Sequence, residues 1–498
     1  MSRRNLLILA ALSALSLGGY LLYSNYFLRI GFPLDDAWIH QTYARNLASM
    51  GEWSFVPGQP SAGSTGPLWG MLLAIGHALQ LGPYVWTYAL GWLVLFGLGV
   101  SGAYVFAYLC PERKEWSLWA GILLIFEWHL VWASGSGMET LAFALIALIV
   151  LASIVVMDER FKATDQFPRG GKWLGLGALV GLSVWLRPDG ITLLAPVGLF
   201  ILVSPNSWRK KLTSASGVGI GFLALFAPYL IFNYAVAETW WPSTYFAKQA
   251  EYAFLQTSPI WKRWFAQAVL PLVGVGVTLL PGFILYIVNA VKNYRWSKLL
   301  PALWVIGYIS IYAWRLPVTY QHGRYIMPVM PTFFLWGFAG LAAFVQLNVK
   351  NMFLRVLNRA WLISTVVIFV AFWWIGARAY ARDVAIIESE MVSIAHWVAA
   401  NTPPDALVAA HDIGALGYFA DRPLLDLAGL ISPEVIPYLW DDDRLGEYMH
   451  ARDANYLVTF PGWYPIMTAP LTPIFQTNAP YGPDIGGENM AVYVWIIP

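Results

Sequence analysis

Cysteine is almost absent from this chain of 498 residues, in which Cys110 stands alone. A single cysteine excludes an intramolecular disulfide and a metal site built from cysteines. Charge is also scarce, because Asp, Glu, Lys and Arg make up only 12% of the residues, against roughly 25% in a soluble domain. The formal net charge of +2 gives no reason to expect nucleic acid as a partner. No internal repeat is evident, which weakens the prediction of an inverted-repeat transporter.

Hydrophobic residues take the place of the missing charge. They make up 58% of the chain, and the mean hydropathy is +0.57. This composition predicts an integral membrane protein with several spans. The first apolar run, 6–22, follows Arg3 and Arg4 and has the form of a secretory signal. We favour an uncleaved membrane anchor here, and cleavage after a small residue is the alternative.

Membrane spans are predicted where apolar runs approach the roughly 20 residues that a helix needs to cross a bilayer. We predict eleven, with bounds near 6–26, 84–108, 117–133, 139–157, 172–187, 190–204, 213–235, 265–290, 299–315, 325–346 and 360–378. Basic residues then collect in alternate loops, which marks those loops as cytoplasmic. The apolar segment 67–82 would break this alternation if it crossed. We therefore predict a helix in the outer interface there, with Trp69 and His77 at headgroup level.

The last part of the chain, 381–498, has no apolar run of span length and predicts a small α/β domain. Residues 381–404 have helical periodicity, and DALVAA, ANYLVTF and AVYVWII are typical of short strands. Eleven crossings from a cytoplasmic N-terminus place this domain outside. Tyr418, Trp440 and Trp463 are candidate surfaces for stacking on sugars, although simple folding of an α/β unit also accounts for the surrounding sequence. The predicted fold is thus a polytopic α-helical membrane domain, 1–380, with its first external loop at 30–83, followed by an external α/β domain.

The first external loop places two adjacent carboxylates directly after a membrane span. It reads PLDDAWIHQTYARNLASMGEW, in which Asp35 and Asp36 are followed by His40 and Tyr43 at helical spacings. A carboxylate at a helix N-terminus is favoured by the helix dipole, so Asp36 alone is also explained as an N-cap. Two adjacent carboxylates are more than an N-cap needs, because one cap requires one hydrogen-bond acceptor. The pair therefore points to a functional site.

Further ionisable residues fall on the same predicted face. Glu139, at the outer start of a span, is either a helix cap or a second acid facing the same cavity. Arg187 and Asp189 join two short apolar segments, so they lie below the outer surface, facing a polar cavity or closing a helical hairpin. Other outward candidates are Tyr245, Lys248, His322 and Arg324. Cations converging with the acids on one face indicate an anionic ligand.

An ordered set of motifs runs through the chain: DDAWIHQTYARNLASMGEW, SAGSTGPLWGMLLA, SGMETLAFAL, LRPDGITLL, NYAVAETWWPSTYFAK, HGRYIMPVMP and HDIGALGYFADRPLLDLAGL. This set resembles the GT-C superfamily of membrane glycosyltransferases that use polyprenyl-phosphate sugars, particularly its bacterial mannosyl-, arabinofuranosyl- and aminoarabinosyltransferases. The resemblance implies an outward-facing site that moves a sugar from a lipid-monophosphate carrier to an envelope glycan, lipid or protein. The first loop lacks the His-Pro-Pro or Lys-Pro-Pro turn of some relatives, so acceptor details do not transfer.

The resemblance also implies roles for single residues. Asp35 matches the first acidic position and is expected to be the general base, with Asp36 as an orienting carboxylate or metal ligand and Glu139 as a further acid. Arg324, His322, Lys248 and Arg187 are expected to hold the donor phosphate, and His40, Tyr43, Asp189 and Tyr245 to contact the substrates. No cofactor is certain, and a divalent metal is possible but undecided, because no ligand spacing is diagnostic. A transporter or flippase of lipid-linked sugars and a non-catalytic envelope-assembly protein are the alternatives.

Overall fold

The structure is a computed structural model that describes residues 1–164, 168, 170–345 and 350–495. Helices make up most of the part before the C-terminal sheet. In chain order they are α1 (Arg3–Phe27), α2 (Asp36–Met50), α3 (Pro67–Ala78), α4 (Gly82–Leu109), α5 (Ser117–Phe126), α6 (Trp128–Gly135), α7 (Thr140–Thr164), α8 (Gly170–Leu186), α9 (Leu194–Val203), α10 (Trp208–Ala237), α11 (Ser243–Glu251), α12 (Ile260–Val269), α13 (Gly276–Lys292), α14 (Trp296–Arg315), α15 (Tyr320–Gly323), α16 (Met330–Phe344), α17 (Met352–Ile387) and α18 (Ser393–Asn401).

Every predicted membrane segment overlaps one of these helices. Among the described residues, six helices are long and apolar enough to cross a membrane, or up to eight if each of two bent pairs is one span. The chain is therefore an integral membrane protein. The count of eleven spans and the side of the membrane on which each loop lies stay predictions.

Two segments predicted as single spans are broken. In 117–133 the helix axis bends by 54° between α5 and α6. Glu127 causes this break, because its backbone is extended and its carboxylate caps α6 by accepting the amides of His129 and Leu130. In 265–290 the bend is 105°, between Leu272 and Gly276. Gly274 stands inside that break with a φ of 95°, a conformation that glycine adopts readily.

Helix α3 occupies the segment predicted to lie in the interface. With 12 residues it is too short to cross a bilayer. The expectation that Trp69 sits at headgroup level is wrong, because Trp69 is buried inside the protein. Its indole N–H donates to the carbonyl of Gly137 at 2.7 Å. This bond ties the first loop to the segment that precedes α7.

The predicted boundary between the two domains falls inside a long helix. Helix α17 continues through one π-helical turn, Glu388–Val392, directly into α18. The remaining elements are a small ribbon in the first loop and a C-terminal sheet with two further helices: β1 (Ser54–Val56), β2 (Gln59–Pro60), β3 (Val408–Ala410), β4 (Leu424–Asp426), α19 (Asp442–Ala451), β5 (Tyr456–Thr459), α20 (Pro465–Thr468), β6 (Phe475–Gln476) and β7 (Ala491–Val494).

The C-terminal sheet has the order β4-β3-β5-β7-β6. Strand β3 pairs in parallel with β4 and β5, whereas β7 is antiparallel to β5 and β6. The three strands predicted from sequence are present as β3, β5 and β7. Neither β4 nor β6 is predicted from the sequence.

Candidate active site

A cavity of about 480 Å³ lies beside the first loop, at the end of the bundle where α7 begins. Its wall includes residues of α2, α11 and α14, together with the turns before α7, after α8 and before α16. Eight of the predicted site residues line it: Asp36, His40, Glu139, Arg187, Asp189, Tyr245, Lys248 and Arg324. The fold thus brings together residues that lie up to 288 positions apart, from Asp36 to Arg324.

Asp35, the expected base, does not line this cavity. Its two carboxylate oxygens accept the backbone amides of Gly414 at 2.7 Å and Ala415 at 2.8 Å, both from the loop after β3. Burial raises the pKa of Asp35 to about 6, although the two amides oppose the shift. A Cβ on Gly414 would lie only 2.6 Å from Asp35 Oδ2, so the approach requires glycine. Asp35 fastens the C-terminal domain to the start of α2.

Tyr43 and His322 also lie outside the cavity wall. The hydroxyl of Tyr43 is 2.6 Å from Ser61 Oγ and accepts the amide of Gly63 at 2.9 Å, which holds the first loop in place. His322 lies edge-on against two tryptophan rings, with Nε2 2.7 Å from Asp383 Oδ2. The expected contacts of Tyr43 with substrate and of His322 with phosphate do not fit these positions.

Asp36 and Arg324 form an ion pair in the cavity wall. Arg324 Nη2 lies 2.5 Å from Asp36 Oδ2, and the guanidinium stands 5.0 Å from the ring centre of Tyr325. Burial alone would raise the pKa of Asp36, but Arg324 and Lys248 hold it well below its usual range. The Nε and Nη1 groups of Arg324 are buried without a hydrogen-bond partner. A buried donor without a partner is costly, and an oxygen of an anionic ligand such as a phosphate would supply a missing bond.

A second network crosses the floor of the cavity. His40 Nδ1 is 3.0 Å from Ser64 Oγ, and His40 Nε2 is 3.2 Å from Glu139 Oε2. The other oxygen of Glu139 accepts Arg187 Nη1 at 3.2 Å. Burial raises the pKa of Glu139, but His40 and Arg187 outweigh it and hold the pKa at about 2. Glu139, only 1% exposed, is a buried bridge rather than a simple helix cap.

Arg187 continues this network toward α14. Its Nε lies 3.3 Å from Asp189, and its Nη2 donates to the hydroxyl of Tyr312 at 2.9 Å. Asp189 accepts the hydroxyls of Tyr312, at 2.8 Å, and of Tyr308. Arg187 and Asp189 therefore pair with each other and also face the cavity, so both sequence-based interpretations hold.

Replacing Glu139 with Gln is expected to destabilise the protein by roughly 1–3 kcal/mol, because a buried bridge between His40 and Arg187 loses its charge. Thermal unfolding in detergent, followed by intrinsic fluorescence, measures this. Glu434→Gln is the matched control, since Glu434 pairs with Arg452 at the surface and such pairs contribute about 1 kcal/mol or less. Equal melting temperatures for both variants would contradict the bridge.

Sequence reasoning missed the aromatic and hydroxyl groups that hold the cations. Tyr312 and Tyr325 line the cavity and contact Arg187 and Arg324, and Arg315 lies on the same wall. A signal was available in α14, where Tyr308 and Tyr312 are four residues apart and so share one face of an apolar helix.

The side chains of this site do not fit a metal ion. Within the described residues no group of three or more His, Cys, Asp or Glu side chains is placed to hold one. Asp36 is paired with Arg324, and both oxygens of Asp35 accept amides.

Comparisons with known proteins agree with this architecture. No curated protein matches the sequence. A family model described as a domain of unknown function, DUF8728, matches residues 382–493. ArnT from Cupriavidus metallidurans, solved with bound undecaprenyl phosphate, is similar in structure, with a TM-score of 0.61 and 15% identity over 99% of this chain and 98% of that one.

Two further solved structures are similar. The oligosaccharyltransferase of Archaeoglobus fulgidus, in complex with Zn and sulfate, has a TM-score of 0.63 and 13% identity over 92% of this chain and 68% of that one. The arabinofuranosyltransferase AftD from Mycobacteria has a TM-score of 0.51 and 14% identity, over 99% of this chain but 42% of that one. All three neighbours are glycosyltransferases of the GT-C superfamily, and the chain has a GT-C-like fold.

Proposed function

We propose that this protein is a glycosyltransferase that moves a sugar from a polyprenyl-phosphate carrier to an acceptor of the cell envelope. The observation that carries the proposal is the buried guanidinium of Arg324, which offers two unpartnered N–H groups in the wall of the cavity. The neighbour ArnT, with the same fold along nearly its whole length, was solved with undecaprenyl phosphate. A lipid phosphate is the leaving group of such a transfer, and it gains negative charge as the sugar departs.

The cations of the cavity have unequal roles in this proposal. Arg324 binds the phosphate through its charge and an unpartnered donor, and Lys248 of α11, whose Nζ donates to Glu251 at 2.8 Å, adds a second positive charge. Arg187 already contacts Glu139, Asp189 and Tyr312 through its guanidinium. Its main role is therefore to hold the cavity wall together rather than to bind the phosphate. His322 has no part in the phosphate site.

The two adjacent carboxylates exchange the roles expected from the sequence. Asp36 faces the cavity and is proposed as the base, whereas Asp35 positions the C-terminal domain. When a phosphate binds to Arg324, the positive charge of Arg324 is shared between Asp36 and the phosphate. The pKa of Asp36 therefore rises, and Asp36 becomes a better base. The acceptor oxygen attacks the anomeric carbon, the bond to the phosphate oxygen breaks, and the acceptor proton moves to Asp36. One displacement inverts the anomeric carbon.

A transfer assay tests this function. The purified protein in liposomes receives a short-chain polyprenyl-phosphate donor with a radiolabelled sugar, together with an envelope fraction of the source organism. Label is expected in the acceptor, and Asp36→Asn is the inactive control. Movement of intact labelled donor across the bilayer would instead support a flippase. If the label is neither transferred nor moved across the bilayer, the result would support a non-catalytic role in envelope assembly.

We also propose the topology in which the helical domain, 1–380, crosses eleven times and the C-terminal domain, 381–498, lies outside. Lys114 and Asp443 are exposed and belong to opposite sides in this arrangement, and Cys110 is buried. With Cys110 changed to Ala, Asp443→Cys is expected to react with an impermeant maleimide in intact cells. Lys114→Cys is expected to react only after permeabilisation. If only Lys114→Cys reacts in intact cells, the protein has the opposite orientation in the membrane.

A further inference from the structure

The C-terminal sheet presents the carboxyl ends of three parallel strands along one edge. Strands β4, β3 and β5 are neighbours and run in the same direction. His411 and Asp412 follow β3 directly, and Trp463 follows β5 after a short turn. In open α/β sheets, ligands bind outside the carboxyl ends of the strands. This edge, which already holds Asp35 through Gly414 and Ala415, adjoins the catalytic cavity.

Two indole rings flank His411 at this edge. The ring centre of His411 lies 6.0 Å from that of Trp440, nearly stacked, and 4.8 Å from that of Trp463, edge to face. His411 itself is buried, and Nδ1 is 2.7 Å from the hydroxyl of Tyr464. Burial lowers the pKa of His411 to about 4, so the imidazole is neutral near pH 7 and fixes the rings without adding charge.

The two indoles remain open to solvent although they are held in place. Trp440 is 52% exposed and Trp463 is 38% exposed. The Nε1 group of Trp440 donates to the carbonyl of Glu251 at 3.1 Å, and Glu251 holds Lys248 of the cavity wall. Rigid, exposed aromatic faces stack well on the C–H faces of sugar rings, because they add contact area at little cost in conformational entropy.

Asp412 adds a polar group directly after His411, close enough to Asp35 and Lys248 for their charges to act on it. Its Oδ2 is buried and has no hydrogen-bond partner in the protein. Burial, and then the charge of Asp35, raise the pKa of Asp412 well above its usual range. A buried oxygen without a partner is costly, and a hydroxyl group of a ligand would supply the missing bond.

We infer that Trp440, Trp463 and Asp412 form an acceptor subsite, and that the acceptor is a carbohydrate. This inference rests on the proposed glycosyltransferase function and names its second substrate class. The indoles stack on the sugar rings of a glycan, and Asp412 binds a hydroxyl. The Trp440–Glu251–Lys248 contacts link the subsite to the cavity that contains Asp36. A glycan bound here lies between the C-terminal domain and the donor.

The test uses the full-length protein in liposomes with the labelled polyprenyl-phosphate donor and the polysaccharide fraction of the source organism's envelope. In Trp440→Ala/Trp463→Ala, the KM for polysaccharide is expected to rise tenfold or more, which corresponds to about 1.4 kcal/mol. Donor hydrolysis without acceptor should fall far less than transfer. Phe at both positions keeps the stacking faces and should recover most of the loss. Trp208→Ala, at an exposed tryptophan of α10, is the matched control.

The outcomes separate this inference from the function on which it rests. Parallel assays receive the lipid fraction or the protein fraction of the envelope, and label in either of these but not in polysaccharide overturns a carbohydrate acceptor while leaving the transferase intact. Equal losses of donor hydrolysis and glycan transfer in the alanine variant, without recovery by Phe, also overturn the subsite and assign the indoles a folding role. If the wild-type protein neither hydrolyses nor transfers the donor, the proposed function itself fails.

Discussion

Asp36→Asn is expected to lower the single-turnover rate of sugar transfer by roughly 10²- to 10⁴-fold, the usual contribution of a positioned base. The substitution keeps the size of the side chain but removes the proton acceptor that faces the cavity. It also frees Arg324, whose Nη2 pairs with Asp36 at 2.5 Å. Donor affinity should therefore stay at the wild-type level or rise. A large loss of rate without a loss of donor affinity distinguishes a base from a phosphate-binding residue.

Asp35→Asn is the matched comparison, one residue away. It weakens the acceptor of the Gly414 and Ala415 amides, so its first effect should be on the attachment of the C-terminal domain. Limited proteolysis of the segment after α18 is expected to become faster in this variant, while turnover falls less than in Asp36→Asn. If Asp35→Asn is inactive and Asp36→Asn transfers sugar at the wild-type rate, the order expected from the sequence is restored.

The helices of this fold could be predicted because their signal is local. The predicted spans 6–26 and 84–108 agree with α1 and α4 to within three residues at each end. The bend at Glu127 could not be foreseen, because one acid in an apolar run does not reveal that it caps a second helix. The sequence also does not reveal that α17 continues directly into α18. The change from apolar to polar sequence near 380 marks a change of environment, and the helix runs through it without interruption.

The candidate site was predictable in composition but not in geometry. Neighbouring residues on a helix point about 100° apart, so the sequence does not say whether Asp35, Asp36 or both face the cavity. That choice depends on Gly414 and Ala415, more than 370 residues away in the chain. His322 illustrates the same limit. It stands two residues from Arg324, yet it turns to Asp383 while Arg324 turns to Asp36.

Arg324→Ala is expected to weaken binding of the polyprenyl-phosphate donor by roughly 10- to 100-fold, because a charge-assisted hydrogen bond contributes about 1.5–3 kcal/mol. Equilibrium binding of the labelled short-chain donor to the purified protein measures this. Arg324→Lys should recover only part of the affinity, since an ammonium group is more strongly hydrated than a guanidinium and its donors are not fixed in a plane that serves Asp36 and a ligand together. Arg315→Ala, which removes another cation of the same wall, should cost much less, because Arg315 lies over the exposed ring of Trp314.

The alanine variant also leaves Asp36 buried without its partner, which by itself could repel the donor. The double variant Arg324→Ala/Asp36→Asn removes that charge and isolates the loss of the guanidinium. Donor binding in the double variant is expected to stay well below that of Asp36→Asn alone, because the double variant lacks the guanidinium and its unpartnered donors. If the double variant binds the donor as tightly as Asp36→Asn, Arg324 serves only to neutralise Asp36. The phosphate must then be held by Lys248 or Arg187.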